Sequence, residues 1–281
     1  MRGGRGWLIA AAAVGFALLY IPLLVLVVYS FNASKLVSVW GGWSVEWYGA
    51  LLSNEQVLQA AWVSVQVGVL AATIGTVLGT LAGYVLARFG RFRLRLLLTG
   101  MATAPIVMPE VVTGLSLLLL FISLEQMLGW PAGRGMLTIV IAHATFCLAF
   151  VAVIVQARLT DFDRSIEEAA ADLGGRQPWI FLEVTLPVIA PAIVSGWLLA
   201  FTLSFDDLVI ANFVSGPESS TLPMVVYSKV RLGVSPDINA LGTIIIAVVA
   251  TGVILGAWQM RRSERQRVRD AQAAMRDRTG G

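Results

Sequence analysis

Charge is the scarcest feature of this 281-residue chain. Asp, Glu, Lys and Arg make up 13% of it, against about 25% in ordinary soluble domains. Hydrophobic residues make up 57%, and mean hydropathy is +0.80. So few charges cannot cover a soluble globule of this size without exposing large apolar patches. So much apolar sequence also excludes a disordered chain. A bilayer is the solvent that fits. Cysteine and histidine are almost missing, with only Cys147 and His143 present. A lone cysteine excludes an intrachain disulfide, and a lone histidine excludes a His-rich or Cys-rich metal site. The only lysines are Lys35 and Lys229, and each follows a serine. A phosphate-binding loop needs Gly immediately before its Lys, so this chain is not itself an ATPase. The single histidine also excludes a two-histidine zinc protease. Ser195-Gly196 and Ser215-Gly216 lack the glycine two positions before the serine that a Gly-x-Ser-Gly motif needs. Asp206-Asp207 are adjacent, whereas an aspartyl dyad draws on two segments. Enzyme chemistry is not expected.

What is present is long apolar runs. A spanning helix needs about 20 mostly apolar residues. Six stretches qualify, near Trp7–Tyr29, Val57–Ala87, Leu94–Ser123, Met136–Gln156, Leu186–Val209 and Ala240–Met260. They show no alternation of the kind a barrel strand requires. The expected fold is an all-α, polytopic membrane protein of six transmembrane helices. The first run is too long for a signal-peptide core and lacks a cleavage pattern, so it reads as a retained span. We read one permease domain over residues 1–281, with a loop at 158–185 and a basic tail at 261–281.

Basic residues set the orientation. With a cytoplasmic N-terminus, sixteen of the twenty fall on the cytoplasmic side. They include Arg2, Arg5, Arg88, Arg95, Arg158, Arg164, Arg176 and the seven arginines of the tail. Both termini are therefore expected in the cytoplasm. The tail reads as a solvated stop-transfer segment touching anionic lipid. A basic membrane protein of this kind needs no nucleic-acid partner.

Glycines mark a contact surface. Gly75, Gly79 and Gly83 repeat every four residues and form a smooth stripe where another backbone can approach. Prolines suggest broken helices at depth: Pro105 and Pro109 in the third span, Pro187 and Pro191 at the start of the fifth.

The loop from Arg158 to Glu183 is the most informative stretch. Asp163 is suited to cap a helix, Glu167 and Glu168 fit its early turns, three alanines favour its body, and Gly174-Gly175 end it. Pro178 suits the start of a second helical piece, Trp179–Thr185. A helix too short to be stable alone, held between two spans, suits a groove in a partner. Its residues carry a resemblance. Glu168-Ala169-Ala170, Gly174, Phe181, Val184 and Leu186-Pro187 match the spacing of the EAA loop of ABC-importer permeases. Leu203 to Ile210, Phe213 to Pro217, Thr221 to Met224 and Gly233 to Leu241 are similar to permeases of polyamine importers of the putrescine and spermidine type.

That resemblance implies a type I ABC-importer permease fold, with Glu168, Ala169, Ala170 and Gly174 in a cytoplasmic coupling helix between the fourth and fifth spans. It implies a second homologous permease chain as heterodimer partner, two ATP-binding subunits and a periplasmic substrate-binding protein, in the bacterial inner membrane. ATP and Mg would be bound by a partner, and this chain would need no cofactor. The solute implied is a polyamine, putrescine first, with spermidine or another small solute as the alternative. A self-sufficient secondary carrier usually has internal repeats and more spans.

A cation path should show acids at depth, where each costs about 2.5–3.5 kcal/mol to insert. Glu110, near the middle of the third span, and Asp206 and Asp207, in the outer half of the fifth, are the candidates. Successive helical residues point about 100° apart, so the two aspartates cannot face one spot unless the helix loosens. Phe205, Trp197, Tyr84 and Phe146 are the aromatic faces available for cation–π attraction. His143 reads as a hydrogen-bonded packing residue. Ser235-Pro236-Asp237 reads as the start of the last helix, and the loop 212–237 as a landing area for a binding protein.

Overall fold

The structure is a computed structural model that describes residues 3–36, 39–233 and 235–279. Side chains of 3–5, 257 and 259–279 lie outside the description, and so do Arg2, Arg5 and the tail arginines as marks of orientation. Among the described residues twelve α-helices form: α1 Gly3–Tyr29, α2 Glu46–Leu52, α3 Glu55–Arg88, α4 Arg95–Val107, α5 Glu110–Leu128, α6 Met136–Thr160, α7 Ser165–Asp172, α8 Gln177–Ile180, α9 Leu186–Phe205, α10 Val209–Val214, α11 Leu222–Leu232 and α12 Pro236–Thr279. A π-helical turn, Phe181–Thr185, joins α8 to α9. Among the described residues the one β contact is an isolated bridge between Asn32 and Trp43.

Six helical stretches are long and apolar enough to cross a membrane: Gly6–Tyr29, Glu55–Arg88, Glu110–Leu128, Met136–Thr160, Gln177–Phe205 and Pro236–Gly256. The chain is a multi-pass, all-α membrane protein, as its composition requires. Two spans depart from expectation. The third does not run from Leu94 to Ser123. Met108 is extended and Pro109 caps a new helix, so α4 and α5 are separate rods. Pro109 has no N–H to give and restricts Met108 to extended backbone. Pro187 and Pro191, in contrast, do not break the fifth span. The π turn sits just before Pro187, where a regular turn would bring the proline ring against a carbonyl. The break comes at the other end instead, at Asp206–Leu208.

The contacts divide the chain into two compact units: the chain up to Asn54 together with the segment from Lys229 onward, and Glu55–Ser228. In the first, Asn32 organises the turn after α1. Its Nδ2 donates to the Val39 carbonyl at 2.8 Å and its Oδ1 accepts from the Gly41 N–H at 2.7 Å. The Tyr48 hydroxyl bonds Ser30 at 2.7 Å. α12 starts at Pro236, as expected, and Asp237 in its first turn pairs with Lys229 at 2.5 Å.

In the second unit the α3–α6 seam is the spine. Lipid tails are as apolar as leucine, so close packing and hydrogen bonds hold such helices together. The glycine stripe supplies the close packing. A Cβ at Gly75 would lie 3.0 Å from Cys147 Cβ, one at Gly79 2.8 Å from the Leu148 carbonyl, and one at Gly83 2.7 Å from the Ala152 carbonyl. α9 packs on the same pair, and α10 closes the far end over a cluster of Val67, Phe121, Ile139, Phe146, Ile210 and Val214.

Candidate functional site

The loop helix forms where the sequence places it. α7 lies between the fourth span, α6, and the fifth. It begins two residues after Asp163, whose Oδ1 accepts the Ser165 N–H at 2.9 Å. That bond holds the Asp163 carboxyl below the usual carboxylate range. Gly174 ends the helix at φ +86°, a left-handed conformation that glycine adopts without strain. Gly175 is needed for space, because a Cβ there would sit 2.7 Å from the Ala170 carbonyl and 3.1 Å from Ile180 Cγ1. The chain thus folds back tightly on α7, and Ile180 is buried under it.

The outward face of this hairpin is apolar. Leu173 is 91% exposed, and Ile166 and Trp179 are about half exposed. With Ala169, Ala170 and Val184 they line an open groove of about 750 Å³. Glu168 and Ala169 are exposed beside it. A hydrophobic face this open on an eight-residue helix is built for a partner.

The inward face is polar, and the sequence reading did not anticipate it. Glu167 Oε2 lies 2.7 Å from Arg88 Nε at the end of α3. Its Oε1 accepts from the Thr185 hydroxyl at 2.6 Å. Arg88 also donates to the Leu159 carbonyl at 2.8 Å, and its guanidinium lies over Phe162. Arg164 returns the favour by donating to the Ala87 carbonyl at 2.8 Å. Helix C-termini leave carbonyls without partners, and arginines satisfy them here. Only position hinted at this: Arg88 and Glu167 were legible as a helix-end base and a first-turn acid, but not as a pair.

The acids expected at depth occupy the other end. Glu110 is exposed in the first turn of α5, after the break rather than mid-span. Asp206 and Asp207 lie beyond the end of α9, not within a continuous helix. The helix stops there, and the two side chains part. Asp207 turns inward at 8% exposure, and its Oδ1 accepts the Ala211 N–H at 2.8 Å, which caps α10. The same oxygen lies 3.2 Å from His143 Nε2. His143 Nδ1 bonds the Ser204 hydroxyl at 2.7 Å, so the histidine is a hydrogen-bonded packing residue. Asp206 is left facing outward. Glu110 lies one turn before Gly114, which touches α10 at Ile210 and Phe213. Among the described residues no ion pair joins Glu110 or Asp206 to a base.

Phe205 belongs to a ladder. Its ring stacks on Phe201 at 5.7 Å, and Phe201 on Trp197 at 5.6 Å. Trp197 Nε1 donates to Thr73 Oγ1 at 3.1 Å. The sequence reading missed Phe201, although the spacing of four that joins it to Trp197 and Phe205 was visible. Of the other aromatics named, Tyr84 meets Phe181 near the loop hairpin and Phe146 meets Phe150 in the core.

Among the described residues, six apolar helices, a bundle spine of glycine contacts and an inter-span helix with an open apolar face define a polytopic membrane protein with an exposed hairpin between spans. The chain belongs to the family of binding-protein-dependent transport system inner membrane components, whose model matches residues 75–269. It is 56% identical over 270 residues to the putrescine transport system permease protein PotI of Escherichia coli K12, covering 96% of each chain. It is 41% identical over 239 residues to the spermidine/putrescine transport system permease protein PotC of the same strain, covering 85% of this chain and 88% of that one. Among solved structures, a chain of a bacterial ABC transporter involved in import of the acidic polysaccharide alginate matches with a TM-score of 0.68 and 17% identity, over 92% of this chain and 97% of that chain. A chain of the MetNI methionine ABC transporter matches at 0.60 and 14% identity, over 74% and 95%. The fold is that of ABC-importer permeases.

Proposed function

We propose that this chain is the pore-forming, non-catalytic subunit of an ATP-driven polyamine importer, with putrescine as its main solute. Near end-to-end likeness to a putrescine-system permease is the observation that carries the reading. The exposed hairpin supports the way energy enters. α7, with Glu168, Ala169, Ala170 and Gly174, docks its apolar face on an ATP-binding subunit, which holds the ATP and Mg and performs the hydrolysis. Two such subunits, a second permease chain and a periplasmic binding protein complete the assembly, with both termini of this chain in the cytoplasm. No cofactor is assigned to this chain itself.

We assign Asp206, Glu110 and Phe205 to the solute path, and leave out Asp207, which is turned inward. A diamine is held by weak anionic sites and by aromatic faces, and Asp206 beside the Phe205–Phe201–Trp197 ladder offers both. The test is uptake of labelled putrescine by proteoliposomes of the full complex. Asp206→Asn and Glu110→Gln should each cut uptake while the complex still assembles. Normal uptake in both variants removes them from the path. Putrescine as the preferred ligand of the binding protein that co-purifies with the chain supports the solute, and a different ligand replaces it.

A further inference from the structure

The docking face of α7 is the partner's side of the coupling device, and the opposite face raises the question of what α7 pulls on. An eight-residue helix that rests only on its own loop would yield when its partner moves, because helices this short have little stability of their own. Glu167 prevents that. Its two oxygens reach two different elements: Arg88 at the end of α3 at 2.7 Å, and Thr185 in the π turn that leads into α9 at 2.6 Å. Arg88 then reaches a third through the Leu159 carbonyl of α6 at 2.8 Å. Arg88 and Glu167 side chains are only 8% and 15% exposed, so water competes little for the pair.

We propose that Arg88 and Glu167 are positioning residues that clamp α7 to α3, α6 and the turn that leads into α9, so that displacement of α7 becomes displacement of the bundle. The clamp rests on the reading of α7 as the ATPase-docking helix. Neither residue touches solute or nucleotide. The arrangement suits force transmission because the load path is ionic and branched, from one carboxylate to two helices, with a third joined through the same guanidinium. A neutral contact at one point would let α7 pivot.

The experiment uses the whole complex, both permease chains with the ATPase subunits, in proteoliposomes with binding protein added. Two quantities are read: putrescine uptake, and the ratio of ATP hydrolysis with loaded binding protein to hydrolysis without it. Glu167→Gln and Arg88→Ala should assemble and hydrolyse ATP, but the ratio should fall towards one and uptake should drop about tenfold, the scale of coupling lost along one connected path. The double variant R88E/E167R, which re-forms a pair of opposite charge, should recover part of the ratio. Thr185→Val keeps the shape and removes one arm, and should lower the ratio by less. If Arg88→Ala does not assemble, Glu167→Gln and Thr185→Val decide alone. Wild-type ratios and uptake in Glu167→Gln overturn the clamp. Changes at Glu168 or Gly174 test the docking reading separately. If they leave the ratio intact, the docking reading fails and the clamp fails with it; if they lower it while Glu167→Gln keeps the wild-type ratio, the docking stands and the clamp alone is overturned.

Discussion

Two carboxylates in this chain are each held by one basic partner under nearly complete cover, Glu167 by Arg88 and Asp207 by His143. They sit at opposite ends of α3 and α6, and they do different work. Glu167 comes from a loop helix and fastens that helix to the ends of others. Asp207 comes from a helix break and seals it, capping α10 with one oxygen while that oxygen faces the histidine. The loop-end pair joins Arg88 and Glu167, whose side chains are 8% and 15% exposed. The other pair uses the chain's single histidine, 1% exposed, with Ser204 on its second nitrogen. The tautomer that places the proton on Nε2 faces Asp207 and leaves Nδ1 to accept from Ser204. The loop-end pair branches through Arg88 and Thr185 to other elements, whereas Asp207 seals a single helix break, where a buried polar group left without its partner has nothing else to pair with.

The largest expected effect follows from that difference. Asp207→Ala removes a helix cap and strands His143 in the bundle, and should destabilise the assembled chain by about 3 kcal/mol. Glu167→Gln keeps the shape and the Thr185 bond and leaves Arg88 its bond to the Leu159 carbonyl, and should cost about 1 kcal/mol. Thermal unfolding of the purified complex in detergent checks both. Equal losses would erase the distinction between a seal and a clamp.

The glycine seam offers a second contrast along one pair of helices. Gly83→Ala pushes a methyl to 2.7 Å from the Ala152 carbonyl, which is rigid backbone. Gly75→Ala meets the Cys147 Cβ at 3.0 Å. The first should cost about 2 kcal/mol and the second about 1 kcal/mol, within the usual range for overpacking. Gly83 lies closer along α3 to Arg88, and Gly75 packs one turn after the His143 position on α6. The same unfolding assay ranks them, and a Gly75 loss greater than the Gly83 loss would mean that the seam opens first at the His143 end. Ser204→Ala comes next, losing one buried hydrogen bond worth about 1 kcal/mol, with His143 Nδ1 left unpaired.

What the sequence made legible divides along the same line. The six spans, the α7 hairpin with its Gly174 cap and the Gly75–Gly79–Gly83 seam all follow from local rules: run length, cap chemistry and a spacing of four. The failures are tertiary. Pro187 and Pro191 looked like the break in the fifth span, but a π turn absorbs Pro187 and α9 continues through Pro191. The actual break, at Asp206–Leu208, accompanies the inward turn of Asp207 toward a histidine on another helix. Nothing near Asp207 in sequence names that partner. Arg88 and Glu167 meet for the same kind of reason. Each is an ordinary helix-end charge by itself, and only the fold makes them a pair. Glu110 moved from mid-span to a helix start because Pro109 ended one rod and capped the next.

The smallest predicted effect tests how firmly the clamp's own helix is held. The Ser165 N–H donates to Asp163 at 2.9 Å and lowers its carboxyl pKa from the ordinary value near 3.8. A pKa depressed in the folded loop stabilises the ionised form, so the contribution is fully present above the unfolded value. It is lost as pH falls through the lower folded value. Asp163→Ala should therefore speed amide exchange over Ser165–Asp172 at neutral pH, and wild type and variant should converge once the carboxyl is protonated. Asp163→Asn keeps an acceptor and should lie between them. Exchange measured by mass spectrometry on the intact complex, as the ratio of variant to wild type across pH, gives the comparison. Equal protection at neutral pH would mean that α7 is held from its inner face by Glu167 alone, and the loop-end pair would then carry the whole helix.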